Sequence, residues 1–157
     1  MHVIVATDGS EASLAGARQF QWIADSREIT DVTVVAVVSP YAAVPFANEL
    51  TGSRHVEPTD FSFQEEAEAA VDVVAAVFDG WGPTIRKQVR SGSPASEIIR
   101  AAEEAGAGLI SLASGSRGLT ATILLGTTAS RVQHSAPCPV LVCRPSRAGE
   151  ASAEPRG

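Results

Sequence analysis

"HVIVATDGSEASLAGARQFQWI" runs from His2 to Ile23 and changes its period halfway. Its first six residues form a short apolar run that ends at Asp8-Gly9-Ser10, a turn and helix-start signal. Beyond the turn, Ala12, Gly16, Phe20 and Ile23 recur at helical spacing and predict one buried face. A strand that turns tightly into a helix is the opening unit of a parallel α/β sheet.

The rest of the chain repeats that unit. "DVTVVAVVSP" (Asp31–Pro40) is rich in β-branched residues, almost continuously apolar and stopped by proline, the pattern of a strand covered on both faces. Residues 41–60 read as a long loop of the kind that often carries function. Phe63, Ala67, Ala70, Val74 and Val77 then predict an amphipathic helix, ended by Gly80-Trp81-Gly82-Pro83. "TIRKQVR" (Thr84–Arg90) alternates in polarity, which predicts a strand with one wetter face near an edge.

In "SGSPASEIIRAAEEAGA", Ser93 is the candidate N-cap, with Pro94 at the first helical position and Glu97 in the first turns. Ile98, Ile99 and Ala102 form its apolar stripe and Gly106 its C-cap. "LISLA" (Leu109–Ala113) is a fourth strand. Leu125, Thr128, Ala129 and Val132 mark a helix after Gly126, and "PVLVCR" (Pro139–Arg144) is a fifth strand. The order βαβ-loop-αβαβαβ predicts an open parallel sheet with helices on both faces, one domain over residues 1–145, and a disordered polar tail at 146–157.

Composition narrows the function. A formal net charge of −6 and the absence of a basic cluster argue against nucleic acid and anionic membranes as partners. No apolar run approaches the roughly 18 residues of a membrane helix. The N-terminus reads as a strand rather than a signal peptide. Cys138 and Cys143 are placed on opposite faces of the fifth strand, too far apart for a mutual disulfide, which fits a reducing cytoplasm.

Ligands of such sheets bind beyond the carboxyl ends of the strands, near the switch in strand order. Those ends are Thr7-Asp8, Val37-Val38-Ser39 and Ala113-Ser114. The stretch "ASGSRGLTATILLGTT" (Ala113–Thr128) lies at the same rim, with three glycines and a single charge, Arg117. Asp8 has two readings: a carboxylate for a ribose hydroxyl or a phosphate-bound metal, or an N-cap in reciprocal exchange with Glu11. Gly126-Thr127-Thr128 also has two: a helix start that attracts phosphate, or a tight strand-to-helix turn with a threonine cap. His2, His55 and His134 read as unpaired and lack metal-ligand spacing. The nucleophile-elbow, G-x-x-x-x-G-K-[ST] and G-x-G-x-x-G patterns are absent, so no catalytic residue is assigned.

Taken together, "VIVATDGSEAS", "GSPASEIIRAAEEAGA" and "GSRG…LLGTTASRVQHSAPCPVLVCRP" resemble the universal stress protein family, over roughly Met1 to Pro145. The resemblance implies a five-stranded parallel sheet of order 3-2-1-4-5, of the adenine nucleotide alpha hydrolase-like kind. It implies a homodimer paired through Val140–Arg144. It also implies a cytoplasmic stress-response regulator rather than an enzyme, acting on protein partners it does not name. One branch of the family binds ATP or AMP, with Mg, through G-x-x-G, nine residues, then G-[ST]. By that analogy adenine rests on Ala6-Thr7 and Val37, Asp8 lies by the ribose or metal, and Gly126-Thr127 hold phosphate, with Thr128 beside them.

This sequence departs from the signature. With Gly115 and Gly118 as the pair, the spacer Leu119–Leu125 has 125 − 118 = 7 residues. With nine residues kept before Gly126, the pair falls on Ala113 and Ser116. Either register implies weakened or altered nucleotide binding. A second branch binds no nucleotide and acts through its dimer and protein partners alone. A third resemblance, of "TDGSEAS" to the S-G-G-x-D-S loop of adenylating enzymes, is broken at Ser10 and Ala12.

Overall fold

The computed structural model describes residues 1–39, 60–114 and 127–144. In chain order the elements are β1 (His2–Thr7), α1 (Glu11–Ile23), β2 (Asp31–Val38), α2 (Asp60–Ala76), β3 (Thr84–Ser91), α3 (Pro94–Ala105), β4 (Leu109–Ala113), α4 (Thr127–Ser135) and β5 (Val140–Cys143). A short 3-10 turn, Ser26–Glu28, leads into β2. The strands form one sheet of order β3-β2-β1-β4-β5, and every neighbouring pair is parallel. The chain builds outward from β1 to the β3 edge, then crosses back to place β4 on the other side of β1. The carboxyl ends of β1 and β4 therefore flank the switch point.

Alternation along each strand divides the core in two. Val3, Val5, Val32, Val34 and Ala36 face α1 and α2. Ile4, Val35, Val37, Ile110 and Leu112 face α3 and α4. Both faces of β1 and β2 are buried, and this is why their sequences are continuous apolar runs. On the α2 side, Phe20, Phe78 and Trp81 meet as an aromatic cluster with ring centroids 5.5–6.1 Å apart. β3 occupies one edge, as its alternating polarity predicts.

Local details depart from the sequence pattern where tertiary contacts decide. Ile23 continues the spacing of α1 but is 51% exposed, because it lies in the last turn, past the packed Phe20. α2 stops at Ala76, so Val77 sits in the turn that follows. Ser93 occupies the N-cap position of α3 but makes no side-chain cap bond, whereas Gly106 ends α3 in the left-handed conformation, φ 59°. His2 is paired: its Nε2 lies 2.7 Å from Thr33 Oγ1 on the neighbouring strand. Cys138 precedes β5 rather than lying on it, and both cysteines are free. The loop expected at 41–60 gives way to α2 at Asp60; its remainder, with His55, and the tail at 146–157 lie outside the described residues.

Candidate functional site

The site grows from the turn after β1. Thr7 closes the strand, and the chain reverses through Gly9 at φ 77°, a conformation that residues with a Cβ rarely adopt. Ser10 then caps α1, its Oγ accepting from the backbone N–H of Ser13 at 3.1 Å. Ser13 donates its one hydroxyl proton to the Ser10 carbonyl at 2.7 Å. The Thr7 hydroxyl, 2.7 Å from Ser13 Oγ, is therefore the donor in that pair, and it accepts from Gly9 N–H at 3.1 Å. Each hydroxyl in this buried chain is used, so the turn is rigid before any ligand arrives.

Asp8 is not the N-cap that one reading of the sequence proposed. Glu11 is the first helical residue, so the cap falls on Ser10. Asp8 instead braces that cap: its Oδ1 accepts from Ser10 N–H at 3.0 Å and from Ser10 Oγ. Among the described residues, no hydrogen bond reaches Oδ2. The side chain is exposed at the strand end. Bracing the turn and meeting a ligand are thus compatible roles for the two oxygens.

Above the switch point lies a cavity of about 230 Å³. Seven sequence-predicted residues, Ala6, Thr7, Asp8, Val37, Ala113, Thr127 and Thr128, line it together. Gly115, Ser116, Arg117, Gly118 and Gly126 lie outside the described residues. Ser114, read from the sequence as a strand end on the rim, also lines the cavity, whereas Ser10 and Ser13 were missed as lining residues, as were Pro94, Ile98 and Leu112. Pro94 and Ile98 were legible only as helix start and apolar stripe; the crossover to the α3 face is what brings them to the rim. Ala6, Val37, Ile98 and Leu112 make an apolar surface suited to a flat ring. The hydroxyls of Thr127 and Thr128 stand at the start of α4.

Two contacts hold the cavity walls. Gly16 brings α1 against the end of β4: a Cβ built at Gly16 would stand 2.9 Å from Ala113 Cβ. On the other side, Arg90 of β3 clamps α3. Its Nε donates to Glu97 Oε2 at 2.8 Å, and its terminal nitrogens bind both oxygens of Glu104 at 2.8 and 3.0 Å. Arg100 adds a 3.0 Å bond to Glu97 Oε1. The hydrogen bond from Arg90 is the main cause holding the Glu97 carboxyl below its ordinary range, and the same is true of Glu104. Arg90 is correspondingly pushed up, by Glu104 first and Glu97 second. Glu97 lies between Pro94 and Ile98 on α3, so the clamp sets one wall of the cavity.

A second, more open groove of about 400 Å³ lies between β3 and α3. Its charges are already paired: Arg86 with Asp31 at 3.1 Å, Lys87 with Asp72 at 2.7 Å, and Glu104 with Arg90. Among the described residues no cluster of three or more His, Cys, Asp or Glu side chains can hold a metal ion. No described helix is long and apolar enough to cross a membrane.

A doubly wound parallel sheet with a partly apolar cavity at its switch point defines an α/β domain with a ligand-sized cleft where such sheets bind their ligands. The model of the universal stress protein family matches residues 1–144. A universal stress protein of Methanocaldococcus jannaschii is 33% identical over 143 residues, covering 90% of this chain and 81% of that one. This chain belongs to the universal stress protein family. Solved structures share its fold. One is a universal stress protein in complex with cAMP, with TM-score 0.66, 21% identity and coverage of 93% and 98% of the two chains. Another is the Archaeoglobus fulgidus universal stress protein in complex with dAMP, with TM-score 0.62, 20% identity and coverage of 91% and 97%.

Proposed function

We propose that this chain is a non-enzymatic regulatory module of the cytoplasm that binds an adenine nucleotide in the rim cavity and works as a homodimer. The observation that carries the reading is the convergence of Ala6, Thr7, Asp8, Val37, Ala113, Thr127 and Thr128 on one cavity at the switch point. The residues fit the group. Apolar side chains suit the base, Asp8 Oδ2 suits a ribose hydroxyl or a nucleotide-bound Mg, and the threonine hydroxyls suit a phosphate. That solved relatives hold cAMP and dAMP supports the same ligand class. Thermal-shift titration with AMP and ATP-Mg tests it. At a hundredfold excess over Kd a ligand stabilises the fold by about 2.7 kcal/mol, which raises Tm by roughly 5–10 °C. Absence of a shift at millimolar nucleotide refutes nucleotide binding and leaves the reading in which the scaffold acts through its dimer and protein partners alone.

The dimer reading rests on β5. It forms the edge beyond β4, and its Val140, Leu141 and Val142 are only half-buried. Val142 belongs to neither core cluster, so Val142→Lys spares the protomer while placing charge on the edge. Light scattering is expected to show a dimer for the parent chain and a monomer for the variant. A parent monomer at working concentration overturns the reading.

A further inference from the structure

The turn from β3 into α3 is held by a carboxylate rather than by a cap. Ser93 takes the N-cap position of α3 but makes no side-chain cap bond, so the helix start lacks its usual anchor. Glu97 supplies another. Its side chain packs over Gly92, where φ is 144° and an added Cβ would stand 3.0 Å from Glu97 Cγ and 3.2 Å from Oε1. Glycine alone takes that conformation without strain and leaves that space. Two arginines then fix the carboxylate by its two oxygens: Arg90 Nε donates to Oε2 at 2.8 Å and Arg100 to Oε1 at 3.0 Å. Arg100 is exposed and belongs to α3 itself, so only Arg90 ties Glu97 to the sheet. The turn is closed by two backbone bonds of 2.9 Å, Gly92 N–H to Val38 O and Glu97 N–H to Ser93 O.

The two α3 residues that line the rim cavity, Pro94 and Ile98, bracket this carboxylate. Glu104 takes the other arm of Arg90, about two turns further along the helix, and its side chain is 54% exposed. No α3 residue beyond Ile98 lines the cavity. One arginine thus holds two acids, of which only Glu97 adjoins the ligand wall.

We propose that Arg90 is a positioning residue of the rim cavity, acting through Glu97 to hold Pro94 and Ile98 against the ligand, whereas its bond to Glu104 serves stability alone. The proposal rests on the adenine-site reading above and deepens it.

The test is calorimetric titration with AMP at a temperature where every variant is folded. The variants are Arg90→Met, Glu97→Gln, the two combined, and Glu104→Gln. Arg90→Met and Glu97→Gln are each expected to weaken AMP binding about three- to thirtyfold, the range for residues that act without touching the ligand. The combined variant is expected to lose no more than the larger single loss, because one residue acts through the other. Glu104→Gln is expected to lower the midpoint of a urea melt and leave AMP affinity unchanged. Without ligand, the amides of Gly92 and Glu97 are expected to exchange with solvent faster in Arg90→Met and Glu97→Gln than in Glu104→Gln. Additive losses in the combined variant, or an equal loss of affinity in Glu104→Gln, overturn the positioning role and leave the adenine site standing. Stability lost with AMP affinity intact in Arg90→Met does the same. Failure of the parent chain to bind AMP overturns both readings.

Discussion

Replacing Arg90 by Met removes the clamp on α3 while keeping most of the side-chain stem. Arg90 and Glu97 are 11% and 12% exposed, so this is a largely buried pair rather than a surface one. Breaking a buried pair costs about 3–5 kcal/mol, because the partner charge stays behind. Arg100 still holds Glu97 at 3.0 Å and Glu104 returns to water, so the expected loss falls below that range, at about 2–3 kcal/mol. For a chain of this size that is a fall in Tm of roughly 5–10 °C.

The dependence on pH carries the sharper test. Both glutamates titrate below their ordinary value of 4.5 in the folded state. Their contribution to stability is fully present above that value and is lost as pH falls through the lower folded pKa. Arg90→Met removes most of that contribution. The gap between parent and variant is therefore expected to be widest at neutral pH and to close as pH falls below the ordinary glutamate value of 4.5 and through the lowered folded one. Urea unfolding followed by tryptophan fluorescence reads both, since the half-buried Trp81 packs against the core. An equal gap at both pH values would mean that the packing of the Arg90 stem, not its charge, was lost. No gap at neutral pH would refute the clamp itself.

Other expectations follow from the same contacts. Gly16→Val places a branched Cβ 2.9 Å from Ala113 Cβ, inside ordinary carbon contact, and is expected to cost about 1–3 kcal/mol through overpacking. Because Ala113 lines the cavity, the variant should also weaken nucleotide binding while folded; unchanged stability in urea melts would show that α1 and β4 are not held as close as described. Gly92→Ala and Gly106→Ala both force a Cβ onto positive φ, at 144° and 59°. Only at Gly92 does the Cβ meet a neighbour, Glu97 Cγ at 3.0 Å, so Gly92→Ala should lower Tm clearly more than Gly106→Ala. Equal losses would place the whole effect in the backbone.

Much of the candidate site is legible in the sequence because it sits at strand ends. A strand that stops marks its own carboxyl end, so Thr7, Asp8, Val37 and Ala113 could be named before any tertiary contact was known. The role of Asp8 was not decided by its type. Both readings needed a carboxylate there, and only the position of Glu11 as first helical residue shows that Ser10 takes the cap. Pro94 and Ile98 were hidden because an apolar stripe on α3 reads the same whether it faces the sheet or a cavity. Arg90 and Glu97 were hidden because residues on a strand and the following helix share no period, although they are seven apart in sequence.

By itself the sequence determined the order of elements, the parallel sheet and the rim on which a ligand would sit. These follow from local periodicity and from turns at Gly9 and Gly106, where backbone geometry restricts the residue. The tertiary structure alone decided that α1 lies against the ends of β4 and β5. It also decided that Gly16 supports the cavity wall at Ala113 and that Arg90 ties β3 to α3. The reason is physical: close packing and ion pairing depend on distances between residues far apart in the chain, which no local pattern records.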